Sequence, residues 1–289
     1  MPPLFLISTA SLYFESLAGG FRLASAAGLD GVELSITPAN AWSRPERIHA
    51  LAEQAGLQVA SVHPPTVPLP GWRRSPDTMR RIAALARALA GCRIVVLHTP
   101  AAVQESDRRM LRFRRTLAAL QEALAGSPIV VALENRNRRP GEPLALFDDP
   151  AALLDLSRAE GCGIVLDTAH ASTLPLPLLE TYHTVRERLV NIHLSDVVSV
   201  GWWDRFSYSR SILGHHRLPG HGGLPLPAML AELGRSGYSG LITLELSPVA
   251  LRFWNRPATH RLLREAAQTC RQWLGHPVSG IGPSSRSGR

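Results

Sequence analysis

Six short apolar runs in this 289-residue chain end on side chains that can hold a metal ion or move a proton. They read SVH at His63, VVLH at His98, VALE at Glu134, IVLDTAH at Asp167 and His170, NIHLSD at His193 and ITLELSP at Glu245. Carboxylates and imidazoles form a hard oxygen and nitrogen ligand set, suited to Zn first and also to Mn, Mg or Co. Such ions polarise carbonyl or phosphoryl oxygens and lower the pKa of water. The expected chemistry is therefore metal-assisted hydrolysis or proton transfer at carbon. One strand-end histidine alone reads as a structural residue, whereas six polar endings in repeating register point to one shared site.

The elements that must position these residues follow from the same runs. Four to six β-favouring residues closing on a polar side chain describe a buried parallel strand as it surfaces. Counting the weaker GVE ending at Glu33, the steps to Glu245 are 30, 35, 36, 33, 26 and 52 residues, close to a strand plus a crossover helix. Helices are expected near 15–28, from Pro45 to a stop at Gly56, near 75–91, after a cap at Ser106 or Asp107, over DDPAALLDLSRAEG, near 176–189, over PLPAMLAELGRSG and near 255–274. Eight strands alternating with eight helices predict an α/β fold, a single (β/α)8 TIM barrel over 1–275. Its active face lies at the C-terminal ends of the strands. The tail 276–289 reads as disordered.

Composition sets the outer limits. A chain that is 45% hydrophobic and 19% charged suits one barrel-sized domain. No apolar run approaches the roughly 18 residues of a membrane span, and MPPLFLISTA lacks a basic leader region, so a soluble, cytoplasmic protein without membrane contact is expected. Cys92, Cys162 and Cys270 lie far apart with no CxxC, which argues for reduced, packed thiols. All 31 basic residues are arginine, which excludes Schiff-base and P-loop lysines. The net charge of +8 is weak support for phosphate-rich ligands. Arg108, Arg109, Arg112, Arg114 and Arg115 read as a solvated stripe, and no groove-reading helix is evident. The expected partner is a small-molecule or phosphoester substrate, with nucleic acid not favoured. The longest irregular stretch, 198–224, carries Trp202, Trp203, Tyr208, His215, His216 and PGHGG and reads as a lid or binding loop.

In their order, GVELS, SVH, LHTP, ALEN, LDTAH, NIHLSD, HRLPGHG and ITLELSP resemble the xylose isomerase-like TIM barrel superfamily, from residue 4 to about 275. That superfamily includes sugar isomerases, sugar epimerases and the endonuclease IV type of AP endonuclease. The resemblance implies a common metal site of Glu134, Asp167, His193 and Glu245. From endonuclease IV it implies His63, His98, His170 and His216 as further ligands to a three-zinc cluster. The remaining ligand of that cluster, an aspartate, falls on Gly214. Ala169 within DTAH and the HLS after strand seven also depart from endonuclease IV itself.

Two reaction classes fit one to three divalent ions per chain. In multi-metal phosphoester hydrolysis, Glu134 bridges ions, and Glu245 and His170 complete the catalytic set. The surplus of imidazoles favours this reading. In the alternative, mononuclear isomerisation or epimerisation of a sugar or sugar phosphate, Glu134 and Glu245 exchange a proton beside a carbonyl and His170 binds a hydroxyl. Expected substrate contacts are Glu33, either in the mouth or instead paired with an arginine low in the barrel, Arg136 on a phosphate, His221 from PGHGG and Trp202 by stacking.

Overall fold

Each apolar run does form a strand. The computed structural model describes residues 2–65, 69–72, 75–206 and 210–275, apart from the side chains of Trp203 and Ser211. Its strands are β1 (Leu4–Ser8), β2 (Gly31–Ser35), β3 (Gln58–His63), β4 (Ile94–His98), β5 (Val130–Glu134), β6 (Gly163–Asp167), β7 (Leu189–Leu194) and β8 (Leu241–Leu244). They pair in parallel in sequence order, and β8 closes on β1, giving a single closed (β/α)8 barrel. Leu6, Ala60, Ile94, Val96, Ala132, Val165 and Leu241 form their own buried cluster. On their strands Val96, Ala132 and Val165 share side-chain parity with His98, Glu134 and Asp167, so this apolar plug fills the barrel beneath the polar endings.

The helices are α1 (Leu17–Ala26), α2 (Pro45–Gln54), α3 (Pro76–Ala88), α4 (Arg108–Leu124), α5 (Pro150–Ala159), α6 (Thr168–Ala171), α7 (Leu178–Val185), α8 (Leu226–Arg235) and α9 (Arg256–Gly275). Ser16, Ser75, Asp107 and Asp149 accept backbone N–H groups at the starts of α1, α3, α4 and α5. Asp107 rather than Ser106 is thus the cap of α4, 2.8 Å from the Arg109 N–H. Prolines open α2, α3, α5 and α8, where a missing N–H costs little. The short α6 is an addition to the expected eight. It arises because Asp167, at the end of β6, caps the turn that follows it.

The helix expected near 176–189 is α7 followed by a tighter turn at Arg186–Arg188. The five arginines of α4 are exposed as expected, and Arg114 pairs with Glu105 and Glu160. All three cysteines are buried, and burial pushes the Cys92 and Cys162 thiols up to about 12. No helix among the described residues is long and apolar enough to cross a membrane. The tail 276–289 and Tyr208 lie outside the described residues, as does the Trp203 side chain.

The outer wall closes where α8 meets α9. A Cβ at Gly234 would run into the Leu274 carbonyl, so only glycine lets the two helices pack this closely. Gly234→Ala is expected to destabilise the fold by roughly 1–3 kcal/mol, the range for forced overpacking. A urea melt unchanged from wild type would show that the two helices can simply move apart.

Candidate metal centre

Strand register brings the polar endings side by side. His98 is opposite Glu134, Asp167 opposite His193, and Ser35 opposite His63. Two register shifts, at Val32/Glu33 and Ile164/Val165, bend strands next to this face, a common device for re-aiming a side chain. Potential ligand atoms then fall into three groups, each within 4.8 Å: His63, His98 and Glu134; Asp167, His170 and His216; and Glu134, Asp167, His193 and Glu245. All eight expected ligands are included. Glu134 is shared by the first and third groups, and Asp167 by the second and third.

Hydrogen bonds behind the rings fix which nitrogen faces inward. The Pro64 carbonyl lies 2.6 Å from His63 Nδ1 and takes that proton, which leaves a neutral His63 with its lone pair on Nε2. By the same logic Glu33 Oε2 holds His193 Nε2 at 3.0 Å, the Asn135 carbonyl holds His170 Nδ1 at 3.0 Å, and the Glu245 carbonyl holds His216 Nδ1 at 3.1 Å. The inward lone pairs meet anions. His63 Nε2 lies 3.3 Å from Glu134 Oε2, and His193 Nδ1 lies 2.7 Å from Glu245 Oε2 and 3.3 Å from Glu134 Oε1.

None of the His193 Nδ1 approaches is aligned as a hydrogen bond. Glu134 Oε1, Asp167 Oδ2, His193 Nδ1 and Glu245 Oε2 are buried atoms without a hydrogen-bond partner, one from each member of the four-residue group. A lone pair facing a buried carboxylate is tolerable only with a proton or a cation between them, so these residues fit a divalent ion.

The charge balance without an ion gives the same answer. Burial opposes charging His63 and His193, but the Glu134 carboxylate at His63, and Glu33, Glu134 and Glu245 at His193, outweigh it and raise both rings. His170 is likewise resisted by burial yet raised to about 9 by Asp167 and Glu134. Burial would raise Glu134, but His98, His193 and His170 hold it well below the ordinary carboxylate range. At Asp167 burial wins and the carboxyl is raised.

Two expected substrate contacts take other roles. Glu33 is fully buried and receives Ser61 Oγ at 2.7 Å and His193 Nε2 at 3.0 Å, so it braces a ring instead of meeting substrate. Arg136 is buried and spends its guanidinium on Asp148, at 2.8 Å through both Nε and Nη2, and on Glu142 at 2.7 Å. It ties the loop after β5 together and is not available to a phosphate. Trp202 is exposed on the loop after β7, edge-on to Phe206 with Arg205 over its ring. His221 is exposed in PGHGG. Neither belongs to the ligand groups.

Some supporting residues escaped the motif reading. Asn135 pairs with the Asp167 backbone at 3.0 and 2.7 Å, locking β5 to β6 behind the ligands. Its place directly after Glu134 was the available signal. Asp196 accepts backbone N–H groups of Val197, Gly220, Gly222 and Leu224, which anchors the PGHGG loop. His215 is buried outside the three groups. Burial, with His216, Arg210 and His170 adding, lowers its ring to about 3 and keeps it neutral.

A closed eight-stranded parallel barrel with ligand groups at its C-terminal mouth defines a TIM barrel with a candidate metal centre. The chain belongs to the xylose isomerase-like TIM barrel family, whose pattern matches residues 21–273. No curated protein sequence matches it. Among solved structures of like fold, a 3-keto-D-glucoside 4-epimerase from E. coli is 16% identical, with a TM-score of 0.66 over 93% of this chain and 99% of that one. D-psicose 3-epimerase from Clostridium cellulolyticum H10 with D-tagatose is 14% identical, with a TM-score of 0.69 over 94% and 99%. A xylose isomerase domain protein from Alicyclobacillus acidocaldarius is 20% identical, with a TM-score of 0.69 over 96% and 100%. At such identities the likeness shows the fold.

Because His63, His170 and His193 carry raised pKa values without an ion, ion uptake must displace protons. Titrating Zn into metal-free protein at pH 7 should release about two to three protons per chain. The count is read from calorimetry in buffers of different ionisation enthalpy, and uptake without release would show that the rings are already neutral, against the raised values at His63, His170 and His193. Glu33→Gln should weaken ion affinity about 10- to 100-fold, the usual cost of losing a partner behind a ligand. Unchanged affinity would leave Glu33 a purely structural carboxylate.

Proposed function

We propose that this protein is a divalent-metal-dependent phosphoester hydrolase that uses at least two neighbouring ion positions. One observation carries the reading. His63 Nε2, His98 Nε2 and Glu134 Oε2 form a triangle with sides of 3.0, 3.2 and 3.3 Å. Ligand atoms about 2.0 Å from a tetrahedral zinc stand ~3.3 Å apart. One ion on Glu134, Asp167, His193 and Glu245 would leave the His63 lone pair facing an anionic oxygen, whereas a second ion in the triangle accounts for it.

When bound, divalent ions would supply Lewis-acid stabilisation of charge on a phosphoryl oxygen and ionise water near neutral pH. Glu134 fixes the spacing of the two positions, with Oε2 turned to His63 and His98 and Oε1 to His193 and His170. His98 and Glu245 side chains are each 17% exposed, while Glu134 and His193 beside them are closed off at 1% and 0%. His98 ends β4 and Glu245 directly follows β8, on opposite sides of the barrel, so the substrate enters between them. Glu245, held anionic chiefly by His193 against the effect of burial, accepts a proton at its carboxylate. His170, with Nδ1 tied to Asn135, has Nε2 for the leaving oxygen or a third ion.

Epimerisation of a sugar is the second reading, with a specific basis. Glu134 and Glu245 both belong to the four-residue group, as a two-base proton exchange beside a carbonyl requires, and sugar epimerases recur among the like-folded structures, so the comparisons support this reading better than hydrolysis, which rests on the site geometry alone.

Metal analysis with an activity assay decides between them. Hydrolysis predicts two or more tightly held ions per chain and turnover of bis(4-nitrophenyl) phosphate, lost by roughly a hundredfold or more in His98→Ala. One exchangeable ion, no phosphoester turnover, and solvent deuterium entering a ketohexose would establish epimerisation instead.

A further inference from the structure

The loop between β2 and α2 holds a concavity that the metal chemistry does not use. Pro38, Ala39, Trp42, Ser43, Arg44 and Arg47 line an open concavity of about 390 Å³, within the size range of small-ligand sites. It belongs to the barrel's active face, since this loop follows Ser35, the register partner of His63.

The wall is rigid. Asn40 is buried, its Oδ1 accepting the Thr37 N–H at 3.0 Å and its Nδ2 donating to the Ser35 carbonyl at 2.8 Å. Backbone bonds from Asn40 and Ala41 to the Thr37 carbonyl, and from Ser43 to the Asn40 carbonyl, close the turn. Arg81, stacked on Trp72, donates to the Ala41 carbonyl from outside. Such a turn could pack its largest side chain inward, yet Trp42 stands 62% exposed on the concavity.

Charge there is uncompensated. Arg44 and Arg47 are three apart at the start of α2, where the positive end of the helix dipole already disfavours cations. Among the described residues neither guanidinium has a carboxylate or carbonyl partner, and Glu46 is the one acid of that turn. An aromatic face flanked by two unpaired guanidinium groups suits a planar ring that carries negative charge.

From this we infer that the β2–α2 rim binds a planar, anionic group, the part of the substrate that points away from the reacting bond. The inference deepens the hydrolase reading, giving its substrate class as a phosphoester with an aromatic, charged distal portion. A small free sugar has nothing to fill such a site.

Naphthalene-2-sulfonate tests the rim without any reaction, because it has the ring and the charge and no hydrolysable bond. Calorimetry on the metal-loaded protein should show one site per chain, weakened about tenfold or more in Trp42→Ala and in Arg44→Gln/Arg47→Gln. Methanesulfonate and 2-naphthol, each lacking one element, should bind far less well. Trp42→Ala should also raise KM for 4-nitrophenyl 6-sulfonato-2-naphthyl phosphate, whose naphthyl arm carries both ring and charge, while leaving kcat near wild type. Equal sulfonate affinity in wild type and both variants overturns the rim site. Sulfonate binding that depends on Trp42 in a protein whose KM does not respond overturns its role in holding substrate. Sulfonate binding that depends on Trp42 in a protein without phosphoester turnover upholds the rim site and sinks the hydrolase reading alone.

Discussion

Four carboxylates at one end of a barrel, three of them fully buried and Glu245 nearly so, set the terms for the rest of this molecule. Glu33, Glu134, Asp167 and Glu245 meet around His193, and among the described residues none of them pairs with an arginine. Burying an ionised carboxylate costs several kcal/mol unless positive charge and hydrogen bonds offset it. Imidazoles are the available partners here, and carbonyls or Glu33 behind them have already claimed one nitrogen of His63, His170, His193 and His216. Compensation must then come from extra protons or from cations held between lone pairs and carboxylates. A group arranged this way is preset for a cation by strand register and by the acceptors behind the rings.

The surrounding loops support that arrangement with charged residues whose hydrogen bonds go to the loops themselves. Asp196 gathers four backbone N–H groups, and a Cβ on Gly222 would collide with its carboxylate, so Gly222 of PGHGG is there for close approach. Arg136, with Asp148 and Glu142, plays the same part after β5. Both lie beside ligands in sequence and look functional by type. Their contribution is to hold Asn135 and His216 in place so that the ring nitrogens keep their direction.

What could be read from sequence and what could not divide along a physical line. The clustering of polar strand ends was legible because a barrel strand must be apolar until it surfaces, so a polar residue at its end stands out in pattern and in spacing. The alternation of strands and helices was legible for the same reason. Glu33 was not, because a register shift at Val32/Glu33 turns it toward Ser61 and His193, and such shifts leave no mark in an apolar run. Arg136 was misread as a phosphate clamp because its partners sit 6 and 12 residues on, in a loop whose folding no periodicity describes. The short α6 and the four-point grip of Asp196 likewise depend on loop geometry.

Gly214, where the resemblance to endonuclease IV expects an aspartate, shows how a departure can be absorbed. A Cβ there would press on the Val198 carbonyl at 2.9 Å, so the backbone has closed on the position and a longer side chain has no room. Asp204 does not take over, since Ser199 and the Val200 N–H hold its carboxylate, and His215 stays neutral away from the ligand groups. Asp167 instead joins His170 and His216, so that group keeps three donors. Three protein ligands with an open position is the donor count of catalytic zinc sites, while four closed ligands mark structural ones. On the hydrolytic reading, losing the aspartate therefore exchanges a saturated position for one that a substrate oxygen can enter.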